Sequence, residues 1–117
     1  MIRRKDIPKE VEVADGIFYK IRFKQKLLAN GYYGLCYFDL KEIHISCGLS
    51  PVELMDTVTH EILHAIAHEN DFELKHDIIN VLEGPLGWFI ARNTVMIKWQ
   101  EICDHWQESG KIKSVPR

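Results

Sequence analysis

The chain has 117 residues, 46% hydrophobic and 27% charged, which is the composition of a globular domain and not of a disordered or fibrous chain. Lys and Arg total 15 against 17 Asp and Glu, a formal net charge of −2. That balance excludes binding by blanket phosphate neutralisation and leaves room only for a local basic patch. The first half reads as β. Val11-Glu12-Val13 and the run from Ile17 to Phe23 partly alternate, and Asp15-Gly16 between them supplies the geometry of a tight hairpin turn. Asn30-Gly31 breaks the chain again. A third strand fits around Gly34 to Phe38 and a fourth around Glu42 to Ser46, with Asp39-Leu40-Lys41 as the turn.

The pattern then changes. Ser50-Pro51-Val52-Glu53 is a helix start with three agreeing signals: a capping hydroxyl, a proline suited to the first helical position, and a Glu that completes a capping box. Leu54, Met55, Val58, Ile62, Ala65 and Ile66 follow at helical spacing, so this helix should run to about Glu69 and stop at Asn70-Asp71. A second helix fits roughly Leu74 to Arg92, with Gly84-Pro85 as a place to kink. A third starts near Asn93 or Thr94 on the stripe Val95, Trp99, Ile102 and Trp106, and the tail 110–117 is expected to fray. Strands first and helices afterwards predict one α+β domain over 1–117: a small, mainly antiparallel sheet followed by three helices.

No apolar run approaches the roughly 18–20 residues of a membrane span. The basic start, Arg3-Arg4-Lys5, has no apolar stretch behind it, so no secretory leader is expected. Cys36, Cys47 and Cys103 are too few and too scattered for a disulfide framework, and read as reduced thiols of a cytoplasmic protein.

The chemistry concentrates in His60-Glu61-Ile62-Leu63-His64, the pattern H-E-x-x-H. Residues four apart on a helix lie one above the other. Two imidazoles so placed can point at one zinc ion, with nitrogens about 2.0–2.1 Å from it. Glu61, beside the first of them, can then reach a water on the metal and take its proton as the water attacks a polarised carbonyl. Three protein ligands leave a fourth position for water, which separates a catalytic from a closed structural site.

On these residues the sequence resembles the zincin metallopeptidases. The strand-turn-strand pattern, then Leu49 to Leu54, then Thr57 to Ala65, resembles the small phage-encoded SprT-like or minimal zincin proteins over about residues 10 to 92. The resemblance implies a zincin-like fold, one zinc ion per chain, a peptide or protein substrate, and the cytoplasm of a bacterial host. SprT-like relatives include proteases that cut proteins crosslinked to DNA; the charge balance here does not point to nucleic acid.

The third ligand has several candidates. His68 shares a face with His60 and His64, but Cα atoms eight residues apart on a helix are about 12 Å apart, and three rings in a column converge poorly. His76, at the start of the next helix, is better placed to return over the motif. SprT-like proteins place a third His in this way, usually followed by Gly; here Asp77 follows. Asp77 is the second choice, and Glu83 the choice for a gluzincin-like site. The strand Glu42 to Ser46 leads into the motif helix; as the strand bordering the cleft it should lie at an edge, where an extended peptide could pair with it. His44 in that strand could touch substrate or face solvent. Tyr32, Tyr33, Tyr37, Arg92 and His105 are candidate donors to a developing oxyanion. The reading that follows is a zinc peptidase with Glu61 as general base and His60, His64 and His76 on the metal. Its alternative is a zincin-fold protein that binds zinc and acts through protein contacts.

Overall fold

The computed structural model describes residues 5 and 7–93. The expected third helix, with Trp99 and Trp106, and His105 and Cys103 lie outside the described residues, as does the tail. The elements are strands β1 (Glu10–Ala14), β2 (Ile17–Lys24), β3 (Gly34–Tyr37) and β4 (Glu42–Ser46), then helices α1 (Pro51–Glu69) and α2 (His76–Asn93). A short 3-10 turn, Leu28–Asn30, sits between β2 and β3. The fold is α+β, with a four-stranded mixed sheet and two helices. No helix among the described residues is long and apolar enough to cross a membrane.

The sheet order is β1-β2-β4-β3. β1 and β2 form the expected hairpin, with Gly16 at φ +74°. β3 and β4 form a second antiparallel hairpin, and Lys41 takes φ +56° at its turn. The third pairing, β2 with β4, is parallel, from Lys20↔Glu42 to Lys24↔Ser46. The expectation that Glu42–Ser46 is an edge strand is therefore incorrect: β4 is interior, and the edge beside it is β3. Burial accounts for the swap. Ile43, Ile45 and Ser46 are fully buried, which an interior strand permits, whereas every residue of the short strand β3 is at least partly exposed.

The core is the sandwich of sheet and α1. Tyr19 and Ile21 of β2 and Ile43 and Ile45 of β4 meet Leu54, Val58 and Ala65 of α1. Leu54, Val58, Glu61 and Ala65 recur at steps of four, three and four, so the buried stripe of α1 includes a carboxylate. The helix begins as its sequence demands. Ser50 Oγ accepts the Glu53 amide at 3.2 Å, and Glu53 Oε1 accepts the Ser50 amide at 2.9 Å. It ends at Asn70, whose Nδ2 donates to the carbonyls of Ile66 (2.8 Å) and Val13 (3.1 Å) and so ties the helix end to β1. Asp71 turns the chain at φ +56°.

The chain divides into two compact units, Met1–Gly87 and Trp88–Arg117. In the first, α2 is anchored by the fully buried Ile79. It also comes close to α1 at Gly87, where a Cβ would stand 2.8 Å from Thr59 Oγ1. α2 runs on through Pro85, whose missing N–H leaves the Val81 carbonyl without its helical partner. In the second unit, the Arg92 guanidinium stacks 4.3 Å from the Trp88 ring and Asn93 Nδ2 donates to the Phe89 carbonyl at 3.0 Å.

A polar latch holds the far end of α1. Glu69 Oε2 accepts from Lys41 Nζ at 2.8 Å and from the hydroxyl of the buried Tyr19 at 2.6 Å. Lys41 first, then Tyr19, hold the Glu69 carboxyl below its ordinary value. A depressed carboxylate adds stability that is present above its unfolded pKa of about 4.3 and is lost as pH falls through the lower folded value. Glu69→Gln is therefore expected to lower the unfolding midpoint near neutral pH. The gap from wild type should close as pH falls below about 4. Urea melts of both proteins across that range are the check, and a gap that does not change with pH would exclude the ionic latch.

Candidate metal centre

The centre forms where α1 and α2 face one another. His60 and His64 stand one turn apart on α1, beside its buried stripe. α2 answers with His76, Asn80 and Glu83, at steps of four and three along one face. His60 Nε2 lies 3.1 Å from His76 Nε2 and 3.2 Å from His64 Nε2. The ligand atoms of the three residues all fall within 4.8 Å of one another. Nitrogens about 2.0–2.1 Å from a shared tetrahedral ion stand about 3.3 Å apart; the two pairs that include His60 match that spacing, and the three side chains together could hold a metal ion. Neutral imidazoles whose Nε2 lone pairs converge in this way repel one another unless a proton or a cation lies between them. Burial, then the charges of His60 and His76, hold the His64 pKa below its ordinary value, which keeps its nitrogen in the neutral, ligating form. Among the described residues, this group contains three side chains and no fourth.

Glu83 has a different place from the one weighed for it. Its Oε2 lies 2.6 Å from His60 Nδ1. A carboxylate there accepts, so Nδ1 carries the ring proton and Nε2 turns its lone pair to His64 and His76. Carboxylates that orient a metal-binding His in this way are worth about 10–100-fold in metal affinity. Glu83→Gln is expected to weaken zinc binding by that factor without abolishing it, as read by competition with a chelator. An unchanged affinity would exclude the orienting role.

Asp77 and His68 are elsewhere. Asp77 Oδ1 accepts the amide of Ile78 at 3.0 Å in the exposed first turn of α2. His68 lies flat on the Phe38 ring, 4.0 Å between centroids and 3° between planes. Neither joins the three-histidine group.

Glu61 points to the sheet side. It is 7% exposed, and its side chain fits against Gly34, the first residue of the edge strand. A Cβ on Gly34 would stand 2.7 Å from Thr57 Cγ2, 3.1 Å from Glu61 Cγ and 3.2 Å from Glu61 Oε2. Burial first, then the charge of Glu83, push the Glu61 carboxyl up to about 7. A group of that pKa can take and return a proton near neutrality. Burial, then Glu61 and Glu69, push the nearby Cys36 thiol up to about 12, so it is no nucleophile at neutral pH.

A cavity of about 260 Å³ opens on this centre, lined by residues 31–34, by Thr57, His60 and Glu61, and by Asn80 and Glu83. Tyr32 and Tyr33 thus belong to its wall. The Tyr33 hydroxyl is also engaged by Glu53, which raises its pKa. Tyr37 is not at the centre; its ring tilts against His44, 4.7 Å away, and His44 Nε2 meets Glu42 Oε1 at 2.9 Å. His44 alternates with the buried Ile43 and Ile45, so it faces away from α1. Sequence reading passed over Gly34, Thr57 and Asn80. Asn80 had a signal, since it falls between His76 and Glu83 on one helical face and its Nδ2 comes 3.4 Å from His76 Nδ1. Gly34, at the start of a strand, also had one, because glycine in a strand often marks a close approach of another group.

Comparison of the chain with protein-family models, with curated proteins and with solved structures finds no match.

Proposed function

We propose that the chain is a zinc-dependent peptidase. The observation that carries this reading is the convergence of three imidazole nitrogens beside a buried carboxylate and an open cavity. His60, His64 and His76 would hold the ion, with His60 oriented by Glu83. A bound zinc ion supplies Lewis acidity, polarising a scissile carbonyl and making water acidic enough to attack at neutral pH. Glu61 takes the proton of the attacking water and returns it to the leaving amine. Its burial keeps that proton's affinity matched to the task. The 31–34 segment and α2 form the walls between which substrate enters.

The test is cleavage of an unstructured protein by the zinc-loaded chain, followed by mass spectrometry of the products. Discrete peptides that disappear with chelator and return with zinc support the reading. A chain that holds zinc yet cuts nothing in a broad peptide library is the zinc-binding protein of the alternative reading.

A further inference from the structure

Charge is distributed unevenly about the metal centre. Glu61 and Glu83 line the cavity that opens on it, and no Lys or Arg does. α1 carries no Lys or Arg anywhere in its 19 residues, and α2 carries none before Arg92. Two more carboxylates extend the acidic side. Glu53, Asp56 and His60 recur at steps of three and four, so they follow one face of α1 toward its N-terminus. Asp56 stands one turn from His60, about 6 Å along the axis, and Glu53 stands about 10 Å away. Asp56 Oδ1 comes within 3.9 Å of the place a Cβ would take on Gly84, the neighbour of Glu83. Glu53 engages the hydroxyl of Tyr33 in the facing wall.

Two of the four carboxylates have no partner. Glu53 accepts the Ser50 amide, and Glu83 meets His60. Glu61, 7% exposed and lining the cavity, and the half-buried Asp56 accept no hydrogen bond and form no ion pair among the described residues. Burial first, then the charge of Glu83, raise the pKa of both carboxyls. Holding an unpaired carboxylate in such a place costs free energy, which an approaching cation recovers. A divalent ion on the three histidines offsets Glu61 and Glu83; Glu53 and Asp56 remain unbalanced beyond it.

The shape agrees with the charge. At about 260 Å³ the cavity is smaller than the roughly 300–1,000 Å³ of drug-sized ligand sites, and it suits one side chain of a longer chain. The half-exposed rings of Tyr32 and Tyr33 offer a surface for an aliphatic stem or a guanidinium. A carboxylate one turn beyond the metal is within reach of a long cationic side chain whose main chain lies at the centre. An acidic side chain there would meet like charges, and an apolar one would seal Asp56 from water without a partner.

We propose that this cavity selects polypeptides with a Lys or Arg beside the bond held at the metal centre, its stem on Tyr32 and Tyr33 and its cation on Asp56. Selection of a cleavage site rests on the peptidase reading; selection of a bound peptide rests on the cavity and its charges alone.

The probes are two unstructured peptides of Gly, Ala and Ser with one central residue, Lys in one and ε-acetyl-lysine in the other, which keeps the stem and removes the charge. With the zinc-loaded chain, kcat/KM is expected to be at least tenfold higher for the Lys peptide. In Asp56→Asn that ratio should fall below threefold, and in Asp56→Glu, which keeps the charge, it should survive. Glu10→Gln makes the same change in net charge at an exposed position of β1 outside the cavity, and its ratio should match wild type. If neither peptide is cut, the peptidase reading fails and fluorescence anisotropy of the same labelled pair decides the selection by itself. A tenfold preference for Lys in Kd, lost in Asp56→Asn and kept in Asp56→Glu, then supports it. Equal kcat/KM where cleavage occurs, or equal or absent binding where it does not, overturns the proposal. So does an equal loss in Glu10→Gln, which would make the effect one of bulk charge.

Discussion

The chain is expected to hold one zinc ion per molecule, and His60→Ala, His64→Ala and His76→Ala are each expected to lose it. Each change deletes one of three converging nitrogens, two of which lie within 3.2 Å of His60 Nε2. The loss should exceed the about 10–100-fold expected for Glu83→Gln, because an orienting partner leaves the donor atom in place and a ligand substitution does not. Metal analysis after gel filtration, with chelator competition for the affinities, gives the ranking. His68→Ala serves as the control, since its ring stacks on Phe38 and lies outside the group. Zinc retained in all three variants, or lost equally in His68→Ala, would remove the centre as described. Metal also couples to folding. Zinc at about a hundred times its dissociation constant stabilises a chain that binds it only when folded by about 2.7 kcal/mol. Chelator should therefore lower the melting temperature of wild type and leave that of His64→Ala unchanged.

The second large effect concerns Glu61. Glu61→Gln is expected to keep wild-type zinc stoichiometry and to cut peptide cleavage by about 10²–10⁴-fold, the usual worth of a positioned general base. Glutamine keeps the size of the side chain, so the fit against Gly34 and Thr57 survives and only the proton acceptor is lost. Cleavage rates and metal content measured on the same preparation separate the possibilities. Undiminished cleavage excludes the general-base role. Loss of zinc together with activity makes Glu61 a structural support of the site.

Local patterns in the sequence carried the parts of the fold that depend on neighbours along the chain. The Ser50 to Glu53 box, the Asn70-Asp71 stop and the two hairpins each depend on a few adjacent residues, and each appears where those residues dictate. His76 was reachable in the same way, from the break before it and the helix it opens. The place of β4 was not. A hairpin says that β3 and β4 are neighbours and is silent on which of them meets β2. That choice is made by burial of Ile43 and Ile45 against α1 and gives the parallel pairing. Glu83 was visible as a carboxylate near the site, but only the 2.6 Å approach to Nδ1 separates an orienting role from a ligating one.

Gly34 has a consequence for how the motif helix can be used. Glu61 occupies a position in the stripe that α1 buries, where an ionisable side chain would ordinarily collide with the strand across from it. The strand yields by having no side chain there: its contribution to the centre is a notch one methyl group deep. H-E-x-x-H in this chain is thus a motif of six residues, the sixth lying twenty-seven positions upstream of its glutamate, and even alanine is too large for it.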